Sequence, residues 1–303
     1  MRYIIVKIGV CVNHPGDWKL VAENGYDYIE TTFQSVINAT DAEFEVMKKA
    51  REDSGIKVEA CMCYFPGTMN LYAYDPETGE ATEDFAEVEK TVREYSERGF
   101  SRAADLGLKV AVIGSGAARN IPDGMKREVA EKQFARVLGI CGEVAAKYGA
   151  IIAIEPLNRG ETNFINTLEE GLRICEMAKS DSVFVLNDFF HSMKENESTD
   201  WLAKAGKRLR HVHIASAERV CPTLEKDGEY LLPLVKALVD TGYDERISYE
   251  CALHPDVATA IKNARSLSDE FRVLRTKLAL TGKQKNEVCP SGKQKNEVCP
   301  SGK

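Results

Sequence analysis

Eight short apolar runs alternate with longer, charged, helix-compatible stretches, and this alternation constrains the fold more than any other feature of the chain. The runs are Ile4–Val10, Tyr28–Thr32, Lys57–Cys63, Lys109–Ile113, Ala150–Glu155, Val183–Asp188, Arg210–Ile214 and Ile247–Cys251. Helices are expected over Asp41–Asp53, Glu83–Leu106, Lys126–Tyr148, Thr167–Ser180, Thr199–Ala205, Tyr230–Thr241 and Pro255–Leu278. Strands that alternate with helices form a parallel sheet, and eight rounds imply closure into a barrel. The expected fold class is therefore α/β, a single-domain (β/α)8 TIM barrel. Gly25, Gly107, Gly149 and Gly242 stand where helices should end before a strand begins. With 303 residues, 44% of them hydrophobic, the chain has material for one such barrel, which needs about 250 residues.

Residues 1–280 are read as the catalytic barrel domain. Residues 281–303 hold two near-identical polar decamers, Thr281–Pro290 and Ser291–Pro300, which lack the apolar content for a core of their own. They are expected to be a disordered tail or an addition foreign to the enzyme. The nine cysteines are scattered, and most fall in or beside predicted strands and helices. That pattern reads as reduced thiols in a cytoplasmic protein rather than a disulfide framework. Cys61-Met62-Cys63 has no second pair to complete a metal site. A net charge of -7 and no basic patch argue against a nucleic-acid partner. Met1–Val10 is too short to span a membrane. A homo-oligomer, dimer or tetramer, is the expected assembly.

Four polar residues end four consecutive strand candidates: Glu155, Asp188, His213 and Glu250. Their separations of 33, 25 and 37 residues each correspond to about one βα repeat. The C-terminal ends of barrel strands are where such folds build active sites. Two Glu, one Asp and one His make a mostly hard, oxygen-rich set suited to one divalent cation such as Mn²⁺, Mg²⁺ or Co²⁺. Each residue alone has a plainer reading, as a helix cap, an ion-pair partner or a core histidine. Convergence from four neighbouring strands favours the metal.

Further residues carry a resemblance. Glu155-Pro156-Leu157-Asn158-Arg159 with Glu161, Asp188-Phe189-Phe190-His191, His211-Val212-His213 with Arg219, and Glu250 after the eighth strand resemble the motifs of the ketose 3-epimerases. These enzymes, which include D-tagatose and D-psicose 3-epimerases, belong to the xylose isomerase-like TIM barrels. Gly114-Ser115-Gly116 also looks like a motif of that superfamily. The resemblance spans roughly residues 4–280. It implies a metal, Mn²⁺ first and Co²⁺ or Mg²⁺ otherwise, on Glu155, Asp188, His213 and Glu250. It implies that Glu155 and Glu250 are also the acid/base pair, and that Glu161, His191 and Arg219 hold the oxygens of an open-chain sugar. The implied reaction is inversion at C3 of a free ketose through an enediolate.

Alternatives stay open. An aldose–ketose, inosose or hydroxypyruvate-type isomerase would use the same proton chemistry. A non-catalytic sugar-binding barrel would have no need of both bases. An apurinic endonuclease-like phosphodiesterase would require extra histidines where Cys63, Tyr64 and Gly114 stand. His211 lies two residues before His213 on the same strand face, and is expected one layer deeper as a hydrogen-bonded core residue. Glu30, ending the second strand, fits either a cleft residue or an ion-pair partner at the barrel mouth. His14 and His254 are expected in loops. The segment Phe65–Glu80, with nearby Tyr64, should form the long loop after the third strand, where such barrels contact the far end of a sugar.

Overall fold

A computed structural model of the chain describes residues 6–287, with side chains as far as Val273. Eight parallel strands close into a barrel in sequence order. They are β1 (Lys7–Cys11), β2 (Tyr28–Thr32), β3 (Val58–Met62), β4 (Val110–Ile113), β5 (Ile151–Ile154), β6 (Val183–Asp188), β7 (Leu209–Ile214) and β8 (Arg246–Tyr249), with β8 pairing back onto β1. Every strand expected from the apolar runs is present, with ends shifted by a few residues. The first four residues of the predicted first strand split at the boundary: Ile4 and Ile5 lie outside the described residues, and β1 starts at Lys7.

The helices are α1 (Trp18–Glu23), α2 (Phe33–Asn38), α3 (Asp41–Ser54), α4 (Phe85–Leu106), α5 (Gly116–Arg119), α6 (Arg127–Lys147), α7 (Leu168–Ala178), α8 (Phe189–Lys194), α9 (Asp200–Ala205), α10 (Leu224–Asp240) and α11 (Val257–Glu287). Four of them, α1, α2, α5 and α8, were not expected; six residues or fewer are too short to show a helical period. The helix α10 begins six residues earlier than expected, where the Thr223 side chain accepts from the Lys226 N–H. The helix α11 crosses the expected boundary at residue 280, and residues 288–303 of the tail lie outside the described residues. Among the described residues no helix is long and apolar enough to cross a membrane.

Alternation along each strand separates two packing zones. Ile8, Val10, Ile29, Cys61, Ala111, Ile113, Ile152, Ile154, Val185, Val212 and Ile214 join the large cluster between barrel and helices. Tyr28, Ala60, Val110, Val112, Ala153 and Leu186 form a second apolar cluster, the packed interior of the barrel. Gly9 makes room there: a Cβ at that position would lie 2.4 Å from the Tyr28 ring. Above these layers, at the C-terminal strand ends, the filling turns polar. Gly107, with φ +106°, ends α4 as expected, in a conformation costly for any residue with a Cβ.

Candidate active site

The four predicted ligands converge. One ligand atom each from Glu155, Asp188, His213 and Glu250 lies within 4.8 Å of the other three. His213 is at the centre: its Nδ1 is 3.1 Å from Glu155 Oε1 and 3.0 Å from Glu250 Oε2. Pairing between β6 and β7 sets Asp188 beside His213. Asp188 also caps α8, accepting from the Phe190 N–H at 2.8 Å through Oδ1. That leaves Oδ2 facing the cluster, where Arg219 Nη1 meets it at 2.7 Å.

Glycine sets the position of Glu155. A Cβ on Gly114 would stand 2.3 Å from Glu155 Oε2, so the loop after β4 must be bare there. Ser115 follows in the left-handed region at φ +38°, and its hydroxyl accepts from the Phe65 N–H at 2.9 Å. Behind this turn lies Arg119, fully buried, donating to the carbonyl oxygens of Ile113, Glu155, Phe164 and Ile165. The segments after β4 and β5 are thus tied together by one guanidinium.

Charge crowding is strong. Burial, and next the Glu250 charge, push Glu155 up to about 7. Burial also opposes ionisation of Asp188, but the Arg219 guanidinium, His191, His213 and the Phe190 N–H together outweigh it and hold that carboxyl below the usual range. For His213, burial favours the neutral ring, yet the Glu30 and Glu250 charges reverse this and raise it well above an ordinary imidazole. A metal–oxygen bond of about 2.1 Å allows donor pairs up to about 4.2 Å apart. Small side-chain shifts would therefore let all four residues share one cation. Three carboxylates and one imidazole that repel or compete without a central positive charge are a donor set that fits a hard divalent ion.

The three predicted sugar-contact residues adjoin the cluster. Arg219 Nη2 reaches Glu250 Oε2 at 2.6 Å, and its guanidinium carbon lies 4.5 Å from the Phe190 ring centroid. It is held in the left-handed region at φ +59°, a strained setting often found at functional sites. His191 Nδ1 accepts from the backbone N–H and side-chain amide of Asn158, at 3.2 and 2.8 Å. Its proton therefore sits on Nε2, which is buried without a hydrogen-bond partner among the described residues, 3.6 Å from Asp188 Oδ2. Glu161 is half exposed, accepts from Asn158 Nδ2 at 2.9 Å, and lies 3.9 Å from His191 Nδ1.

His211 is one layer down, as expected: it is fully buried and 2.8 Å from Glu30. Glu30 is neither at the mouth nor in an open cleft. It has no exposed surface and contacts both His211 and His213. A charged residue inside the apolar strand Tyr28–Thr32 was the available signal, because a buried carboxylate needs partners. Nothing local marked Arg119 or the bridging role of Asn158. Cys11 also lies near Glu30 and His213. Burial, then Glu30, push its thiol well up, so it is a neutral wall of the site. The tyrosines around the third loop point elsewhere: Tyr64 donates to Ser96 Oγ, and Tyr72 to the Arg119 carbonyl. They anchor that loop.

Comparison with known proteins agrees with the barrel fold. The family model described as xylose isomerase-like TIM barrel matches residues 18–277. A D-psicose 3-epimerase of Agrobacterium fabrum is 30% identical over 207 residues, 67% of each chain. A 3-dehydro-D-guloside 4-epimerase of Escherichia coli is 23% identical over 206 residues, 68% of this chain and 75% of the relative. Among solved structures, a D-psicose 3-epimerase crystallised in the presence of D-fructose superposes with a TM-score of 0.74 at 22% identity, covering 89% of this chain and 99% of the other. This chain belongs to the xylose isomerase-like TIM-barrel family.

Proposed function

We propose that the chain is a metal-dependent sugar epimerase that inverts C3 of a free ketose, with Glu155 and Glu250 as the paired acid/base groups. The curated relatives are epimerases, and the broad class is accordingly an isomerase acting on carbohydrate. The observation that carries the finer reading is the meeting of Glu155 and Glu250 at one imidazole nitrogen, 3.1 and 3.0 Å away. They follow β5 and β8, three strands apart around the barrel, and so can address a planar intermediate from different sides. One removes the proton and the other returns one to the opposite face. The Nε2–H of His191 and the Arg219 guanidinium, which also holds Asp188 and Glu250, are donors for sugar oxygens, and Glu161 is an acceptor at the rim. Glu155, Asp188, His213 and Glu250 would hold the cation, Mn²⁺ in preference to Co²⁺ or Mg²⁺, which when bound supplies Lewis acidity at the substrate carbonyl. Residues 1–280 are the catalytic unit in this reading, in a cytoplasmic homo-oligomer, and residues 281–303 are dispensable to it.

The test is incubation with a panel of ketoses in D₂O with Mn²⁺, followed by NMR of the recovered sugars. Deuterium at C3 with C3 inversion supports the proposal. Label confined to C1 or C2 points to aldose–ketose isomerisation. Exchange at C4 of a 3-keto sugar would align the chain with its E. coli relative. Binding without exchange of any carbon-bound hydrogen would indicate a sugar-binding barrel.

A further inference from the structure

We infer that Glu30 is a positioning residue that aims His213 Nδ1 at the cation. This rests on the metal reading above and extends it to a residue outside the four candidate ligands. Glu30 is the middle residue of β2, across the barrel from β7, and has no exposed surface. Its two oxygens serve two rings. Oε1 is 3.1 Å from His213 Nε2, and Oε2 is 2.8 Å from His211 Nε2. An ionised carboxylate only accepts hydrogen bonds, so each ring presents an Nε2–H to it. Fixing the proton of His213 on Nε2 leaves Nδ1 as the coordinating nitrogen, and Nδ1 is the atom beside Glu155 and Glu250. A carboxylate on the far nitrogen also orients a metal-binding ring and raises its basicity.

His211 has the complementary role. Its Nδ1 is buried and has no hydrogen-bond partner among the described residues, where its polar contacts run through Nε2. Behind it, Ser248 Oγ is 3.5 Å from that Nε2 and 2.6 Å from the Tyr28 hydroxyl. The two histidines of His211-Val212-His213 therefore divide the work. The deeper one braces Glu30, and Glu30 aims the upper one.

The decisive variant is Glu30→Gln in the full chain, stripped with chelator and titrated with Mn²⁺. The amide has one acceptor and one donor group, so it cannot accept from both Nε2–H groups. It can still serve His213 if His211 moves its proton to Nδ1, but that leaves a buried donor unpaired. Mn²⁺ affinity should fall about 10–100-fold. An inert core pair would change thermal stability and leave affinity within about threefold of wild type, and that result overturns the assignment while sparing the metal reading. A wild-type protein that takes up no Mn²⁺ overturns both. Should the variant fail to fold, ¹⁵N NMR of histidine-labelled, zinc-loaded wild type decides. A retained Nε2–H on His213 with Nδ1 coordinated is expected, and a protonated Nδ1 contradicts it.

Discussion

Arg119 Nη1 donates to the carbonyl oxygen of Glu155 across 2.7 Å, from a side chain with no exposed surface. Its other N–H groups hold Ile113, Phe164 and Ile165, so one cation bound to four carbonyls fixes the backbone beneath a proposed base. Arg119→Lys keeps the charge but cannot span four carbonyls. Denaturant unfolding should show a loss on the order of 3 kcal/mol, and turnover should fall with it. Unchanged stability would mean that the carbonyls find other donors and the clamp is redundant.

Gly114 separates stability from activity. In Gly114→Ala the new methyl would lie 2.3 Å from Glu155 Oε2, and the carboxylate is the part able to move. Turnover and Mn²⁺ affinity should each drop by about tenfold or more, because displacement on the order of 1 Å is costly at a reacting centre. The melting temperature should change little. Retained affinity would show that Glu155 coordinates from another rotamer.

Much of this arrangement could be read from the sequence, for a physical reason. A parallel strand buried on both faces is a run of apolar residues, and a polar residue at its end stands out, as Asp188 does after Val183–Asn187. Contacts between distant strands leave no local pattern. Glu30 and His213 are separated by 183 positions, and Arg119 sits in a four-residue helix with no period to detect. The six-residue helix α8 was invisible for the same reason, although its cap, Asp188, had been singled out as a ligand.

His191 offers a split between binding and coordination. Its Nε2–H has no acceptor within hydrogen-bonding distance among the described residues, while its Nδ1 is held by Asn158. His191→Phe should raise KM for the sugar by about 10-fold or more, the cost of one lost hydrogen bond to a polar ligand, with Mn²⁺ affinity nearly unchanged. Equal loss of metal affinity would place His191 in the coordination sphere instead.

Glu59 governs acid stability at the opposite end of the barrel. It accepts from Lys7 Nζ at 2.5 Å and from Arg246 Nη2 at 2.6 Å, at the starts of β1 and β8. Burial opposes its ionisation, but the Lys7 and Arg246 hydrogen bonds outweigh it and depress its pKa below 4.5. A depressed folded-state pKa contributes stability that is fully present above the unfolded value and is lost as pH falls through the folded one. Glu59→Gln should therefore be less stable than wild type at pH 7, by on the order of 2 kcal/mol. The gap should close as the pH is lowered from about 4.5, and turnover at pH 7 should be retained. A gap independent of pH would assign the loss to packing.

The most direct measurement compares the metal-saturated variants Glu155→Gln and Glu250→Gln in D₂O, each supplied separately with the two C3 epimers of an accepted ketose. Epimerisation should fall on the order of 10³-fold or more in both. Residual deuterium exchange at C3 should survive in one epimer with one variant and in the other epimer with its counterpart. Near-normal epimerisation in both would contradict a two-carboxylate mechanism and move the proton transfer to another group, His191 first.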